Sequence, residues 1–466
     1  MILWSEMARR KPAGRRRMPT SERVAVIASV SIVALVALTL AGTYLYRQSV
    51  QARSHTIYIS LEAQADCKPI VDAFMKAHPD PAVTYASSPD AGLVLGAQKV
   101  DGRSAVEVHP VPALVLKAGA RTVVLRPPKD YWLSCEGKDD TVSRLSRFLD
   151  GYHETQQRVS VTAVGDIIPG RTVAKMMEIH GVAYPFGKIA PVVKGADVVY
   201  ADLEAPLSDR VKPPHKGMAF IAPSSTVQGL KMLGIDIVSL ANNHSTNFGL
   251  NAFTDTLALL KNNGIAYVGG GMNVNEARAP AVVEAGGTSF AFLDYNTIIG
   301  SLNATATRPG VSWIRMKPWA KDNADDMAMV SSSVRQAKSE GHFVVACFHW
   351  SEEYKHQPSA SERNMAHLAC DAGADLVIGG HPHCIQSIEM YNGKLIAYSL
   401  GNFIFDQMQH DYTREGLIMK CSYSGTMLTG LEFIPYVIQD WCQPVVAAGN
   451  PGQKILDELL SISGIK

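Results

Sequence analysis

Leu376-Val377-Ile378-Gly379-Gly380-His381-Pro382-His383 is the stretch whose reading decides the fold. Three apolar, strand-favouring residues are followed by two glycines and by two imidazoles around a proline. A short apolar run closed by glycine reads as a buried strand, and the polar residues after it read as a turn at the strand end. The same arrangement recurs along the chain. The run 159–164 ends in Gly165-Asp166, and 198–201 ends in Asp202-Leu203-Glu204. The run 237–241 ends in Asn242-Asn243-His244, 343–348 in His349, and 394–400 in Gly401-Asn402. A further apolar run occupies 290–293. Helical spacing appears between these runs, at 226–233, 252–262, 323–339 and 360–372. Strands alternating with helices predict an α/β fold, and sites in such folds form at the carboxyl ends of the strands.

The residues gathered at those ends share a chemistry. Asp166, Asp202, Glu204, Asn242, Asn243, His244, His349, His381, His383 and Asn402 offer carboxylate, amide and imidazole groups, the donor types that divalent cations take. Two cations roughly 3.5–4 Å apart bind a phosphoryl group, supply a nucleophile and stabilise the leaving oxygen. A carboxylate shared between them offsets their repulsion. The chain has no Gly-x-Ser-x-Gly elbow and no Walker-type loop, and the glycines at 269–271 lack the dinucleotide spacing. Each residue alone has an ordinary explanation. His349 reads as a core histidine, Asn243 as a helix cap, the His-Pro-His turn as surface, and Glu204 as an exposed carboxylate. All of them at strand ends, in one region, read as a single site. His180, His215 and His356 lack that context, and His55 and His78 precede the region.

Six fragments carry a resemblance: GDIIPGR from Gly165, ADLEAPLS from Ala201, LANNHSTNFG from Leu240, HWSEEY from His349, GGHPHCIQ from Gly379 and YSLGNFIFD from Tyr398. In this order, across about residues 158–410, they resemble the CapA family of calcineurin-like metallophosphoesterases. The resemblance implies an α/β/β/α sandwich with one or two bound divalent ions such as Mn, Fe or Zn. It implies Asp166 and His383 as ligands of a first ion and His349 and His381 as ligands of a second. Glu204 is then the bridging carboxylate and Asn243 the amide ligand. His244 is implied as a general acid or phosphate-orienting group, with Arg171 and Glu353 in substrate or supporting roles. The wider superfamily begins Asp-x-His, and here Ile168 stands in place of that histidine. Asn247 stands where relatives commonly carry an acidic residue. The implied function is synthesis or export of a poly-γ-glutamate capsule or related envelope polymer. The implied partners are a polymer or phosphoester substrate, the membrane and membrane-bound synthesis subunits. The rival reading is a non-catalytic scaffold of such a complex.

The rest of the 466 residues place this region outside the cytoplasm. Residues 1–23 hold Arg9, Arg10, Lys11, Arg15, Arg16, Arg17 and Arg23, and the run 24–46 contains no charged side chain. At about 1.5 Å per residue that run spans a bilayer core of roughly 30 Å. The basic flank predicts a cytoplasmic N-terminus and a single-pass anchor; a cleaved signal peptide is the alternative. Residues 56–150 alternate strand and helix as a small α/β domain, with a helix at 68–76 and strands at 113–116 and 121–125. Half of a solute-binding domain is one reading of it. A linker at 152–157, a main domain at 158–440 and an extension at 441–466 follow. Cys67 and Cys135 form either a disulfide or two buried thiols, whereas Cys347 and Cys421 read as packing residues. A hydrophobic content of 47% excludes wholesale disorder, and a net charge of +1 gives the chain no general attraction to nucleic acid.

Overall fold

The computed structural model describes residues 157–465 apart from His215, together with strand segments at 55–59, 83–85, 93–96, 104–111, 114–118, 121–126 and 129–135. The apolar run 24–46, the helix expected at 68–76 and the Cys67 side of the possible disulfide lie outside these residues. Among the described residues no helix is long and apolar enough to cross a membrane.

Two units separate by their contacts. The first has a five-stranded sheet of β1 (His55–Ile59), β2 (Val83–Tyr85), β3 (Leu93–Gly96), β4 (Ser104–Val111) and β7 (Lys129–Cys135), in the order β2-β1-β3-β7-β4. The expected small domain is interrupted, because residues 112–127 belong to the second unit. There β5 (Leu114–Ala118) and β6 (Arg121–Arg126) form an antiparallel hairpin, and β5 pairs in parallel with β22 (Met427–Gln439). The physical reason is burial: Leu114 and Leu116 enter the core beside Leu431, Phe433 and Leu456.

Strand β16 (Phe343–His349) shows how the layers of the second unit arise. Phe343, Val345 and Cys347 face one way, Val344, Ala346 and Phe348 the other, and all are buried. A strand apolar on both faces requires a layer on each side. On one side lie α5 (Ala324–Ser339) and α6 (Ala360–Ala372), which contribute Val330, Val334, Met365 and Ala369. Each helix is started by a side chain: Asn323 accepts from the Asp326 N–H, and Ser359 with Glu362 forms a capping box. On the other side lies the second sheet, whose Val159, Val161, Ala163, Val198 and Tyr200 meet Phe290, Phe292 and Val345. The reverse face of that sheet is covered by α1 (Arg171–His180), α2 (Ala190–Val193), α3 (Val227–Leu233) and α4 (Leu250–Asn262). The layers therefore run helix, sheet, sheet, helix, and the α/β class read from the sequence holds.

The first of these sheets joins β13 (Ala281–Ala285), β14 (Thr288–Asn296), β16, β17 (Leu376–Gly380), β19 (Lys394–Ala397) and β18 (Ile388–Tyr391), in that order. Its β14, β16, β17 and β19 are parallel. The second follows β11 (Ala266–Val268), β10 (Ile237–Ser239), β9 (Val198–Leu203), β8 (Arg158–Ile167), β21 (Glu415–Ser424), β22, β5 and β6. β20 (Asn402–Ile404) adds to β8 and β23 (Gln443–Val446) to β22, while β12 (Gly270–Gly271) pairs with β15 (Gly310–Val311). The C-terminal segment expected as an extension is integral to this unit. Its helix α7 (Gly449–Ile462) places Ile455, Leu456, Leu459 and Leu460 in the core shared by the two sheets.

Candidate metal centre

Parallel strands deliver their carboxyl ends to one edge, and glycines let those ends approach closely. A Cβ at Gly165 would stand 1.8 Å from the Gly401 carbonyl oxygen, so only glycine lets β8 close on the loop that leads to Asn402. At Gly380 a Cβ would lie 2.7 Å from Asp166 Oδ1 and 3.0 Å from Asp202 Oδ2. The turn after β17 then holds His381 and His383 at φ +94° and +56°. Such backbone is costly for residues with a Cβ and persists where the surroundings over-determine it.

The residues so placed are buried. Asp166, Asp202, Glu204, His349, His381, His383 and Asn402 are all almost wholly removed from solvent. Two triads have donor atoms within 4.8 Å of one another: Asp166, Glu204 and His383, and Glu204, His349 and His381. Glu204 belongs to both. Supporting hydrogen bonds orient the rings. His349 Nδ1 meets Asp202 Oδ2 at 2.8 Å, and Asp202 Oδ1 accepts from Asn242 Nδ2 at 2.9 Å. His383 Nδ1 meets Asn402 Oδ1 at 2.9 Å and lies 3.4 Å from Asp166 Oδ2. Orienting partners of this kind fix the tautomer of a metal-ligating imidazole.

Several polar atoms remain without partners. Both carboxylate oxygens of Glu204 and both ring nitrogens of His381 are buried and make no hydrogen bond. The imidazole nitrogens nearest to Glu204 Oε1 are His349 Nε2 at 3.5 Å and His244 Nε2 at 3.8 Å. Leaving such groups unpaired costs about 1–3 kcal/mol each, and more for a carboxylate. His349 Nε2 also stands 2.8 Å from Asn243 Oδ1. With Nδ1 donating to Asp202, two acceptors meet there unless the ring holds a second proton or a cation lies close by. The donor set and its orphaned atoms therefore fit divalent cations.

Electrostatics point the same way. Burial raises the pKa values of Asp202 and Glu204, against the opposing pull of His349. Burial alone would lower His349, but Asp202 and Glu204 overcome it and hold the ring well above its ordinary value. His383 is also raised against its burial, chiefly by Glu204 and Asp166. His381 is pushed well down by burial and by the neighbouring imidazoles. Burial thus opposes charge on the carboxylates, while those carboxylates hold His349 and His383 in a field that favours cations, protons included.

The other expected site residues surround this cluster. His244 is forced down to about 4, first by burial. Its Nδ1 lies 3.0 Å from Asn247 Oδ1, which also accepts from the Phe220 N–H at 2.8 Å. Nδ1 therefore carries the proton, and Nε2 presents a lone pair. Donation of a proton from Nε2 requires the imidazolium form, so the implied general-acid role is disfavoured in this state and an accepting or orienting role is favoured. Arg171, at φ +48°, is paired with Asp406 and lies over the Phe220 and Phe405 rings at 4.7 and 4.9 Å. Glu353 is exposed, and its charge reaches His383 and Tyr354. Ile168 is fully buried with Ala205, Phe220 and Phe405, so the position of the missing histidine is closed by hydrocarbon.

The sequence reading left Asp202 and Asp406 without roles. Asp202 had a signal: it precedes Glu204 by two residues at the same strand end, one of six polar strand ends. Asp406 had none, because its partner Arg171 is 235 residues away.

Fold and centre together define an α/β protein with a buried carboxylate–histidine cluster at its strand ends. The family described as bacterial capsule synthesis protein PGA_cap matches residues 160–407, more than half of the chain, and the chain belongs to this family. It is 30% identical over 313 residues to the capsule biosynthesis protein CapA of Bacillus anthracis, covering 66% of this chain and 74% of that one. It is 31% identical over 253 residues to the PGA biosynthesis protein CapA of Bacillus subtilis, covering 53% of this chain and 64% of that one.

Proposed function

We propose that this chain is a membrane-anchored protein of poly-γ-glutamate capsule or envelope-polymer synthesis whose buried centre hydrolyses a phosphoester in the presence of one or two divalent cations. The observation that carries the reading is Glu204, shared by two triads and lacking any hydrogen bond. Asp166, Glu204 and His383 would hold one ion. Glu204, His349, His381 and Asn243 would hold the other. When bound, such ions supply Lewis acidity toward a phosphoryl oxygen and a nucleophile at neutral pH. The chain's own residues orient and pack. Asp202 and Asn402 fix the two ring orientations, Phe220 packs against His244 and Phe405 against His383, and His244 Nε2 accepts a hydrogen bond from the attacking or leaving group. Anchoring by residues 24–46 rests on their length and freedom from charge.

Elemental mass spectrometry on protein purified without chelator tests the centre. One or two Mn, Fe or Zn per chain, lost in the His381→Ala/His383→Ala variant, is the expected result. No metal after reconstitution sinks the reading. A scaffold role is the second reading, favoured by Ile168, which removes one donor from the Asp166 side. It predicts that polymer synthesis survives Asp166→Ala, whereas the catalytic reading predicts loss of synthesis in a folded protein.

A further inference from the structure

A second feature lies on the ten-stranded sheet, near the opposite end of β8 from the centre. Leu116, Leu431, Cys421 and Val161 are register partners across β5, β22, β21 and β8, and all four face the core between the sheets. The adjoining row, one residue along each strand, is Lys117, Glu432, Lys420 and Thr162. Period two turns this row to the outer face. Two residues further, Ser160, Ser422 and Gly430 form a row of small residues on the same face. The small row makes a floor and the lysine row one wall. Lys194, Gly195 and Ala196, in the loop after α2, make the other. The open groove has a volume of about 410 Å³.

The charge of this groove is one-sided. Lys117 and Lys194 are exposed and Lys420 is half-buried. None of the three has an ion-pair partner among the described residues, and Glu432 is the one acid in the lining. Asp197, at the margin, is already engaged by the Ser160 N–H and hydroxyl. Adjacent strands are about 4.8 Å apart, so Lys117 and Lys420 root roughly 10 Å apart on either side of Glu432. An open trough with a backbone-like floor and ammonium groups on both walls suits an extended chain carrying repeated carboxylates. A compact anion would leave the separated lysines unsatisfied. Thr162 and Asp166 are four residues apart along β8, so roughly 13 Å separates the groove from the centre. The groove is therefore independent of the ligand cluster.

We propose that this groove binds a strand of the glutamate polymer, holding the chain's polycarboxylate substrate or product away from the metal centre. The inference rests on the polymer part of the proposed function and not on its hydrolytic part. The test is fluorescence anisotropy of fluorescein-labelled poly-γ-glutamate with the full-length protein in detergent micelles, across a range of NaCl concentrations. The wild type should bind at low salt and weaken as salt rises. The Lys117→Glu/Lys194→Glu/Lys420→Glu variant should bind about tenfold more weakly or worse, with a shallower salt dependence. Replacing the same lysines by arginine should retain binding, which guards against loss through misfolding. Chelator-treated protein should bind the polymer as untreated protein does, so failure of the centre is read separately by metal content. Unchanged affinity in the charge-reversed protein, or no binding by the wild type at low salt, would overturn the proposal.

Discussion

Asp294 of β14 is buried and anchors the segment that leads to Asn242, Asn243 and His244. Its Oδ2 accepts from the Ser239 hydroxyl at 2.6 Å and from the Ala241 N–H at 2.9 Å, whereas Oδ1 has no partner. Burial, opposed by the Ser239 hydrogen bond, raises its pKa from 3.8 to about 8. Between these values the unfolded chain has released a proton that the folded chain keeps. The stability contributed by the protonated carboxyl is complete below about pH 4 and is lost as pH rises toward 8, at about 1.4 kcal/mol per pH unit. The full span is on the order of 5 kcal/mol. Asparagine keeps an oxygen for both donors and does not titrate. For a unit of this size 1.4 kcal/mol corresponds to about 2 °C. The Tm of Asp294→Asn minus that of the wild type should therefore rise by about 2 °C per pH unit from pH 5 to 8 and then level off. Differential scanning fluorimetry of chelator-treated protein in matched buffers measures this directly. A flat difference over that range would refute the assignment of a neutral buried carboxyl.

Gly380→Ala pushes a methyl group against Asp166 and Asp202. Metal affinity, titrated by calorimetry, should fall about tenfold or more while circular dichroism stays native; unchanged affinity would mean the carboxylates have room to move. Ile168→His puts an imidazole into a hydrocarbon niche and should cost roughly 2–3 kcal/mol without metal. Added Mn or Zn should recover more Tm in this variant than in the wild type if the niche opens on the Asp166 triad, and an equal shift in both proteins would show that it does not. Asn247→Asp sets a carboxylate beside His244 Nδ1 and should lift that imidazole from about 4 by about 1–3 units. Histidine-resolved NMR titration reads this as an upward midpoint, and an unmoved midpoint would break the link between the two residues.

What the sequence made legible was whatever is local in register. Each buried strand announces itself by an apolar run with polar residues directly after it, so the strand-end donors could be listed before their distances were known, and the family resemblance singled out Asp166, Glu204, Asn243, His349, His381 and His383 among them. Parallel pairing then does the assembly, because β9, β8 and β20 on one sheet and β16 and β17 on the other end at a common edge. Contacts made across the fold were not legible. The hairpin of β5 and β6 reads locally like its flanking strands, and only the parallel partner β22, some 300 residues later, takes it into the larger sheet. Arg171 gives no sign of Asp406, and the strand-like Phe290–Leu293 run gives no sign that Asp294 beside it reaches under the next ligand loop.

The same distinction bears on Asn247. Read from the chain, it is a lost negative charge near the site. In the fold, its oxygen accepts from the Phe220 N–H and meets His244 Nδ1, so it retains the orienting part of a carboxylate's role and drops the protonating part. An acid at that position would favour an imidazolium able to give a proton. The amide leaves a neutral ring whose free lone pair faces Glu204 across 3.8 Å. If hydrolysis occurs at this centre, the proton for the leaving oxygen comes from solvent or another group, and His244 serves by accepting. An aspartate at 247 would thus change the direction of a single proton rather than the presence of the site.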